Sequence, residues 1–256
     1  MRLVTPLVAS LAVAPFAWAD NVAITNPGFE ADVITGGAFV VLQPLGWDRY
    51  DPSGLIDQTG NAVGVIRPLP GTEYFPGGTP EGDNAAIVYL GGNVNGAAGL
   101  QQTLAHTFQA NTRYTLSVDV GNIASGTSLP GSSGGAGNFF DLDGFPGYRI
   151  ELLAGNVAIA VDDNSLVGAI PEGEFRTASF GITLDAASPW IGQAVTIRLI
   201  NLDLPGSASA PNIEVDFDNV RLVTTPVPEP STWALVLAGF ALLLQRARRV
   251  WSRRIG

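Results

Sequence analysis

The protein has 256 residues, of which 23 are acidic and 13 are basic, and its formal net charge is −10. It contains no cysteine, which excludes a disulfide framework, and its acidic surface should repel nucleic acid, so no nucleic-acid partner is expected. The same negative charge favours binding of a cation such as calcium. The alternative is that the charge only keeps the protein soluble.

The N-terminal residues 1–19 have the pattern of a secretory signal peptide. Arg2 is followed by an apolar run, which ends in the small-x-small sequence Ala17-Trp18-Ala19. A positive residue, an apolar segment and a cleavage site of small residues are typical of export signals in this order. The alternative is a buried N-terminal helix. We predict a signal peptide over residues 1–19 and an exported protein.

Residues 20–226 are predicted to form one domain, an all-β antiparallel jelly-roll sandwich. No sustained helical periodicity occurs in this segment, whereas short alternating or β-branched runs separated by turn residues are typical of strands. Many such runs in succession favour an antiparallel sandwich. The predicted strands are residues 22–25, 39–42, 84–90, 99–104, 113–120, 148–153, 157–161, 175–184, 195–202 and 213–223.

Turn signals and two irregular insertions divide these strands. Asparagine and glycine predict hairpin turns at residues 109–112 and 154–156. The segment 67–82 is rich in proline and glycine, and the segment 125–138 is rich in glycine and serine. Both are predicted to be surface loops, and loops of this length are often functional or disordered.

The last predicted strand changes phase near its middle. Val215 and Phe217 share one face, as do Val220 and Leu222, but the step between the two pairs is odd. Strict alternation would turn one pair away from the core. A β-bulge at Asp218-Asn219 would return both pairs to the core, and we predict one there.

Residues 227–256 form a distinct tail. Pro228-Glu229-Pro230 is followed by an apolar run over 233–244 and by five arginines within 246–254. A helix of this run is about 18 Å long, shorter than the roughly 30 Å hydrocarbon core, so it spans a membrane only if it extends further and its arginines snorkel. Arginines that follow an apolar run favour the cytoplasmic side, which places the sandwich outside.

This order of motif, apolar helix and basic end resembles the PEP-CTERM sorting signal. The resemblance implies an exosortase-type processing protease as a partner, in a bacterium that makes exopolysaccharide. It also implies that the C-terminal helix anchors the protein in the inner membrane before processing and that the mature protein lies at the cell surface or outside the cell. An ordinary membrane anchor after a proline-rich linker is the alternative.

The sandwich resembles galactose-binding-domain-like jelly rolls, the architecture of many carbohydrate-binding modules. The matching segments are the opening sequence of residues 24–30, Gly46-Trp47, the strand at 100–104 and the closing sequence of residues 214–222. The resemblance implies a structural calcium ion with Glu30 and Asp218 as carboxylate ligands. The alternative is that both side chains only accept hydrogen bonds from backbone amides.

Four aromatic residues are candidates for binding a glycan. Trp47, Tyr50, Tyr74 and Phe75 lie in or beside predicted loops, where flat rings beside polar groups can contact the C–H faces of sugars. Tyr74 and Phe75 should be exposed, because core packing is not expected in a segment rich in proline and glycine. Trp47 has an alternative, which is to pack inward.

The sequence shows no recognisable catalytic motif. His106 is the only histidine, and without cysteine there is no zinc or nucleophile pattern. The many carboxylates cannot be paired by spacing, so no catalytic residue is assigned. We therefore expect a non-enzymatic surface or extracellular-matrix protein that associates with extracellular polysaccharide and binds glycan. The alternatives are a purely structural matrix component and a polysaccharide hydrolase.

Overall fold

The computed structural model describes residues 18–56, 58, 60–91, 96–227 and 237–246. The described residues form fourteen strands and one helix over residues 237–246. The strands are β1 (Asp20–Val22), β2 (Phe39–Val41), β3 (Asp48–Tyr50), β4 (Asn61–Ile66), β5 (Ala85–Leu90), β6 (Ala98–Thr107), β7 (Thr112–Asn122), β8 (Gly126–Thr127), β9 (Phe139–Phe140), β10 (Tyr148–Ala154), β11 (Val157–Asp163), β12 (Glu174–Leu184), β13 (Ala194–Asn201) and β14 (Glu214–Pro226).

Two antiparallel sheets form the sandwich. The seven-stranded sheet has the order β12-β7-β14-β5-β4-β2, and β1 also pairs with β14. The five-stranded sheet has the order β11-β10-β13-β6-β3, and β8 and β9 form a small separate ribbon. The expected all-β jelly-roll class is confirmed. The closing strand β14 lies inside the larger sheet, between β7 and β5.

The main core lies between the two sheets and follows from strand alternation. On β7, Tyr114, Leu116, Val118 and Val120 are all buried, as the sequence predicted for one shared face. They pack in one cluster with apolar residues of the other strands, among them Ile150, Leu152, Ile197, Leu199, Val215 and Phe217. Burial of this apolar surface is the main stabilising contribution in a chain without disulfides.

A second apolar cluster covers the outer face of the seven-stranded sheet. Ile66 of β4 and Ile87 of β5 contribute from the sheet, Tyr74 and Phe75 contribute from the first insertion, and Leu142 contributes from the segment after β9. The expectation that Tyr74 and Phe75 are exposed is wrong, since they are 4% and 0% exposed. The insertions fold back onto the sheet because this buries the apolar side chains on its outer face.

The predicted strands all overlap observed ones, but four observed strands were not predicted. Three of them, β3, β8 and β9, are only two or three residues long. The fourth, β4, contains Gly64, where an added Cβ would lie 2.3 Å from the carbonyl oxygen of Val40. The close approach of β2 requires glycine there, and glycine weakens the strand pattern in the sequence.

The two predicted turns behave differently. Residues 154–156 join β10 and β11, which pair with each other, so this hairpin is confirmed. Residues 109–112 join β6 to β7, which lie in different sheets, so the hairpin predicted there is wrong. The turn carries the chain from one sheet to the other, with Asn111 in the left-handed region at φ 51°.

The predicted bulge in the closing strand is confirmed. The register of β14 against β7 shifts between Asp218 and Arg221, and Asn219 has a φ of 51°. Val220 and Leu222 are thereby buried on the same side as the residues before the shift. The bulge also fixes which residues of β14 reach the outer face.

The two ends of the chain lie largely outside the described residues. These include residues 1–17 of the predicted signal peptide and the sorting motif Pro228-Glu229-Pro230. The helix over 237–246 overlaps the predicted apolar helix at 233–244. Within the part of the chain that the structure describes, no helix has both the length and the apolar character needed to span a membrane.

Candidate functional site

A pocket of about 390 Å³ lies on the outer face of the seven-stranded sheet. Its floor is formed by β2, β4, β5 and the start of β14, and its walls come from the two insertions. The volume lies in the range of small-molecule sites, which are mostly apolar with a few polar groups. Its larger lining side chains are Phe39, Val41, Ile66, Tyr74, Ile87, Tyr89, Ile123, Phe140, Leu142 and Glu214.

Strand alternation places two acidic side chains on this outer face. Glu214 and Asp216 alternate with core residues of β14, so both point away from the sandwich core. Glu214 lies opposite Tyr89 of β5, and Asp216 lies between Ile87 of β5 and Gly121 of β7. Glu214 lines the pocket.

Burial changes the protonation of this acidic pair. Glu214 is 5% exposed and Asp216 is 0% exposed. Burial raises the pKa of Glu214 to about 8, and burial and then the Glu214 charge raise the pKa of Asp216. Among the described residues neither carboxyl forms an ion pair, and both Asp216 oxygens have no hydrogen-bond partner. Burial therefore favours the protonated form of Glu214, and this form can act as a proton donor.

Two tyrosines line the pocket with Glu214. Burial, then the charges of Glu214 and Glu73, raises the pKa of Tyr74 to about 12. Burial and then the Glu214 charge raise the pKa of Tyr89. Both phenols stay protonated under ordinary conditions, and each can donate one hydrogen bond.

The first insertion forms one wall and is held in several places. The rings of Phe75 and Phe175 lie 4.4 Å apart between centroids, and Arg67 pairs with Asp83 at 2.5 Å. The Glu73 carboxylate accepts a hydrogen bond from the backbone amide of Thr127 on β8. The ring contact joins the first insertion to β12, the ion pair holds its two ends together, and the Glu73 hydrogen bond joins it to the second insertion.

The second insertion forms the wall beside the edge strand β2. The Ser133 amide donates to the Phe39 carbonyl oxygen at 2.8 Å. The hydroxyl oxygens of Ser132 and Ser133 accept from the amides of Phe39 and Val41 at 3.3 and 2.9 Å. The insertion thus follows the outer edge of β2 and places Ser133 and Gly134 in the pocket lining.

The predicted calcium ligands Glu30 and Asp218 contact the same turn, residues 81–84. The Glu30 Oε1 atom accepts from the amides of Asp83 and Asn84 at 2.7 and 2.6 Å. The Asp218 Oδ2 atom accepts from the Glu81 amide at 2.9 Å. No group of three or more metal-binding side chains is arranged around a common point in the described ranges. The structure thus brings the two carboxylates to one turn.

Asp218 is buried at the bulge. Burial raises its pKa to about 8, hydrogen bonds from the amides of Glu81 and Asn219 lower it, and the charges of Glu81 and Asp119 raise it. An added Cβ on Gly28 would lie 3.5 Å from Asp218 Oδ1 and would overlap the Glu81 carboxylate. Glu81 therefore reaches the same region, which is rich in negative charge.

The four aromatic candidates do not form one binding surface. Trp47 is 1% exposed, and its Nε1 donates to the Asn26 carbonyl oxygen at 3.0 Å, so it packs inward. Tyr50 lies on the five-stranded sheet with the Arg198 guanidinium 4.4 Å from its ring centroid. Tyr74 lines the pocket, whereas Phe75 packs in the second apolar cluster. Glycan binding by these residues stays a prediction.

Sequence reasoning missed Glu214 and Asp216 as candidates. The alternation that predicts Val215 and Phe217 in the core also places the two acids together on the other face. That signal was present, but the sequence does not show that this face is covered, because the covering insertions have no periodic pattern.

The comparisons with known proteins identify two families. The HpiC1 cyclase model matches residues 20–223, and the PEP-CTERM protein-sorting motif model matches residues 226–254. No curated protein matches the chain.

Solved cyclase structures are similar over most of the chain. An apo cyclase from Fischerella sp. is 40% identical, with 82% of this chain and 98% of that chain covered and a TM-score of 0.70. A cyclase from Fischerella sp. TAU in complex with 4-(1H-indol-3-yl)butan-2-one is 41% identical, with coverages of 82% and 100% and a TM-score of 0.69. A Stig cyclase from the same organism, in complex with (3Z)-3-(1-methyl-2-pyrrolidinylidene)-3H-indole, is 39% identical, with the same coverages and TM-score.

Carbohydrate-binding modules also align with the chain, at TM-scores of 0.35 to 0.40 and identities of 13 to 15%.

These matches correct one expectation and confirm another. The expectation that the protein is not an enzyme is wrong, because the family model and the solved structures are those of cyclases. The predicted sorting signal is confirmed, so the protein is exported. The chain belongs to the HpiC1 cyclase family and carries a PEP-CTERM sorting motif.

Proposed function

We propose that the protein is an exported cyclase that protonates a small aromatic substrate in the outer-face pocket, with Glu214 as the acid. The observation that carries this proposal is a carboxyl that is 5% exposed and lies in the lining of an apolar pocket, where burial raises its pKa. Membership of a cyclase family supports it.

The pocket suits a flat, mostly apolar molecule. Phe39 and Phe140 meet edge to face at 5.2 Å, and Tyr89 adds a third ring to the lining. Two similar cyclases bind ligands that contain an indole-type ring system. We therefore assign an indole-bearing or comparable aromatic substrate to this pocket.

The reaction class follows from an acid in an apolar, aromatic site. The Glu214 proton adds to a carbon of an electron-rich double bond and leaves a carbocation. The π electrons of a second double bond in the same molecule attack this cation and form the ring bond. Loss of a proton from a neighbouring carbon, returned to the Glu214 carboxylate, restores the acid. The product is an isomer of the substrate, and the pocket rings stabilise the cation while the walls exclude water.

Binding and turnover test the proposal separately. Titration of the protein with 4-(1H-indol-3-yl)butan-2-one should show binding, and Ile87→Trp, which fills the pocket floor, should abolish it. An indole that carries an alkenyl chain should be converted to a product of identical mass, as measured by liquid chromatography and mass spectrometry. Glu214→Gln should slow this conversion by about 10²–10⁴-fold, the usual contribution of a general acid.

A matched control separates the acid from a general effect of charge. Glu174 lies on β12, is exposed, and pairs with Arg176 at the surface. Glu174→Gln should leave binding and turnover unchanged. Equal turnover by wild type and Glu214→Gln would remove Glu214 from the mechanism, and absence of indole binding would reject the substrate class.

We also propose that calcium binds between the opening and closing strands at Glu30 and Asp218. Both carboxylates contact the turn at residues 81–84, and Glu81 reaches the same region. A buried carboxylate such as Asp218, with other acids nearby, would be stabilised by a divalent cation. Calcium takes six to eight oxygen ligands, so backbone carbonyls and water would complete the set.

Processing at the tail is the remaining part of the proposal. The sorting motif implies processing by an exosortase-type protease, and we propose that the apolar segment at residues 233–244 holds the precursor in the inner membrane until then. Association of the mature protein with extracellular polysaccharide stays a prediction of the sequence.

A further inference from the structure

The two ends of the sandwich domain lie side by side. Strand β1 pairs antiparallel with the last part of β14, and Asp20 lies opposite Thr224. The predicted signal peptide ends directly before Asp20, and the match to the sorting motif begins at Pro226, the last residue of β14. The export signal and the sorting tail are therefore attached at neighbouring points of the domain.

The pocket lies toward the opposite end of the same strands. Glu214, which lines the pocket, is the first residue of β14, and this strand of 13 residues is about 40 Å long at the usual rise per residue. The neighbouring strand β7 runs between the same two ends. Thr112 at its start lies opposite Pro226, whereas Ile123, which follows its last residue, lines the pocket. The pocket and the chain ends are thus separated by the length of the sandwich.

Three connections between strands form the surface around the chain ends, which we call the terminal pole: residues 108–111, 154–157 and 185–193. Backbone hydrogen bonds join them to one another and to the end of the domain. The Val227 amide donates to the Asn111 carbonyl oxygen at 2.7 Å, and the Phe108 amide donates to the Gln193 carbonyl oxygen at 2.9 Å. The Gly155 amide donates to the carbonyl oxygen of the first residue of β13 at 3.1 Å. The terminal pole is therefore one continuous surface.

This surface is apolar and nearly uncharged. Val157 and Ile191 are 50% and 37% exposed, and Asp185 is the only charged residue in the sequence of the three connections. The opposite end differs, since exposed acids such as Asp141 and Glu172 lie in the connections there. An anionic lipid surface repels those acids, whereas it has little charge to repel at the terminal pole.

The tail limits how far the terminal pole can move from the membrane. Fully extended, the chain from Val227 to Trp233, where the apolar run of the tail begins, spans at most about 22 Å. With this run in the bilayer, the terminal pole stays within that distance of the hydrocarbon core, and the other end of the sandwich can lie about 40 Å farther out. The length of the connection and the distribution of charge favour the same orientation.

We infer that the terminal pole rests on the lipid surface in the anchored precursor, with Val157 and Ile191 in contact with lipid and the pocket facing away from the bilayer. Trp190, beside Ile191, is partly buried, and tryptophan is enriched where membranes meet water. The inference rests on the proposed anchor at residues 233–244 and not on the proposed chemistry. The pocket then stays open to substrate before the tail is cut, so cleavage changes where the protein is but not access to its pocket.

The test uses the absence of cysteine, because a single introduced cysteine can then carry a fluorescent label. Ile191→Cys and Val157→Cys place the label at the terminal pole. Val167→Cys is the matched control, at a 63% exposed position that follows β11 at the end opposite Val157. The full chain is incorporated into vesicles of phosphatidylethanolamine and phosphatidylglycerol, with or without lipids that carry a nitroxide quencher on the headgroup. The labels at Ile191 and Val157 should lose most of their fluorescence to the quencher, and the label at Val167 should keep it.

Flotation of the vesicles separates this inference from the anchor on which it rests. A chain that floats with the vesicles while no label is quenched would show that the domain does not touch the surface, and it would overturn the inference alone. Equal quenching at Val167 and Ile191 would contradict a fixed orientation. A label at Ile191 that is shielded from water but not quenched would show that a protein, such as a second copy, covers the pole instead of lipid. A chain that does not float would reject the anchor and the inference together, and binding of 4-(1H-indol-3-yl)butan-2-one would still test the proposed chemistry.

Discussion

The buried carboxyl of Glu214 links the stability of the protein to pH. Its pKa is raised to about 8, and that of Asp216 is raised as well. Between the unfolded value near 4.5 and the folded value, the folded state binds more protons than the unfolded state. The free energy of unfolding therefore falls as the pH rises through this window, and the contribution is lost above about pH 8.

This linkage gives a prediction for calorimetry. The melting temperature of wild type should decrease between about pH 5 and pH 8.5, and Glu214→Gln should reduce that decrease, because glutamine does not ionise. The surface variant Glu174→Gln should keep the full decrease. Parallel pH profiles for wild type and Glu214→Gln would show that Glu214 keeps its ordinary pKa in the folded protein.

The proposed calcium site at Asp218 and Glu30 gives a prediction for thermal stability. An ion that binds only the folded state stabilises it by about 2.7 kcal/mol at a hundredfold excess over the dissociation constant. Calcium should raise the melting temperature and a chelator should lower it, while Asp218→Asn or Glu30→Gln should lose most of this difference and stay folded. Asp163→Asn, which alters only an exposed pair with Arg149, is the control. If chelation leaves wild type unchanged, both carboxylates serve only as acceptors for the turn amides.

At the scale of elements, the first insertion is part of the folded core. Phe75 is 0% exposed and packs against Phe175 of β12. Phe75→Ala should therefore reduce the free energy of unfolding by about 3–5 kcal/mol, as expected for a buried phenylalanine. Leu69→Ala, at a 42% exposed position of the same insertion, should reduce it by less than about 1 kcal/mol. Urea denaturation measures both, and similar losses would show that Phe75 is not anchored as described.

The strands show how much of the fold a local sequence pattern can predict. The alternation of β7 and the phase change of β14 are local signals, and both predicted the observed faces correctly. The strand β4 was missed because its glycine is required by the neighbouring strand, which is not a local property. The turn at residues 109–112 was misassigned for a similar reason, since a turn within one sheet and a turn between sheets use the same residue types.

The candidate site was less predictable than the fold, because it depends on long-range assembly. Glu214, Tyr74 and Phe140 come from β14, the first insertion and β9, which are far apart in the sequence and meet only in the folded protein. Each residue has an ordinary interpretation in the sequence: an acid at the start of a strand, an aromatic residue in a loop, and an apolar residue after glycines. Their common function appears only once the insertions cover the outer face of the sheet.

At the scale of the whole molecule, the signal peptide and the sorting motif predict that the protein is cleaved near both of its ends. The mature protein, purified from its own cells, should begin near Asp20 and end between Pro228 and Thr232, as measured by intact mass spectrometry. Glu229→Ala should leave the precursor in the membrane fraction if a protease recognises the motif. A released protein that still contains Trp233 would count against processing, and unchanged release of Glu229→Ala would exclude a role for Glu229.

The serines that hold the second insertion against β2 also affect how neighbouring molecules meet. An outermost strand offers a row of free amides and carbonyls to which the strand of another copy can add, and this is a common route to aggregation. Here the outward amides of Phe39 and Val41 and the carbonyl of Phe39 are already occupied by Ser132 and Ser133. This edge of the sheet is therefore closed to the addition of a strand from another copy, and the segment that closes it is the same one that forms a wall of the pocket.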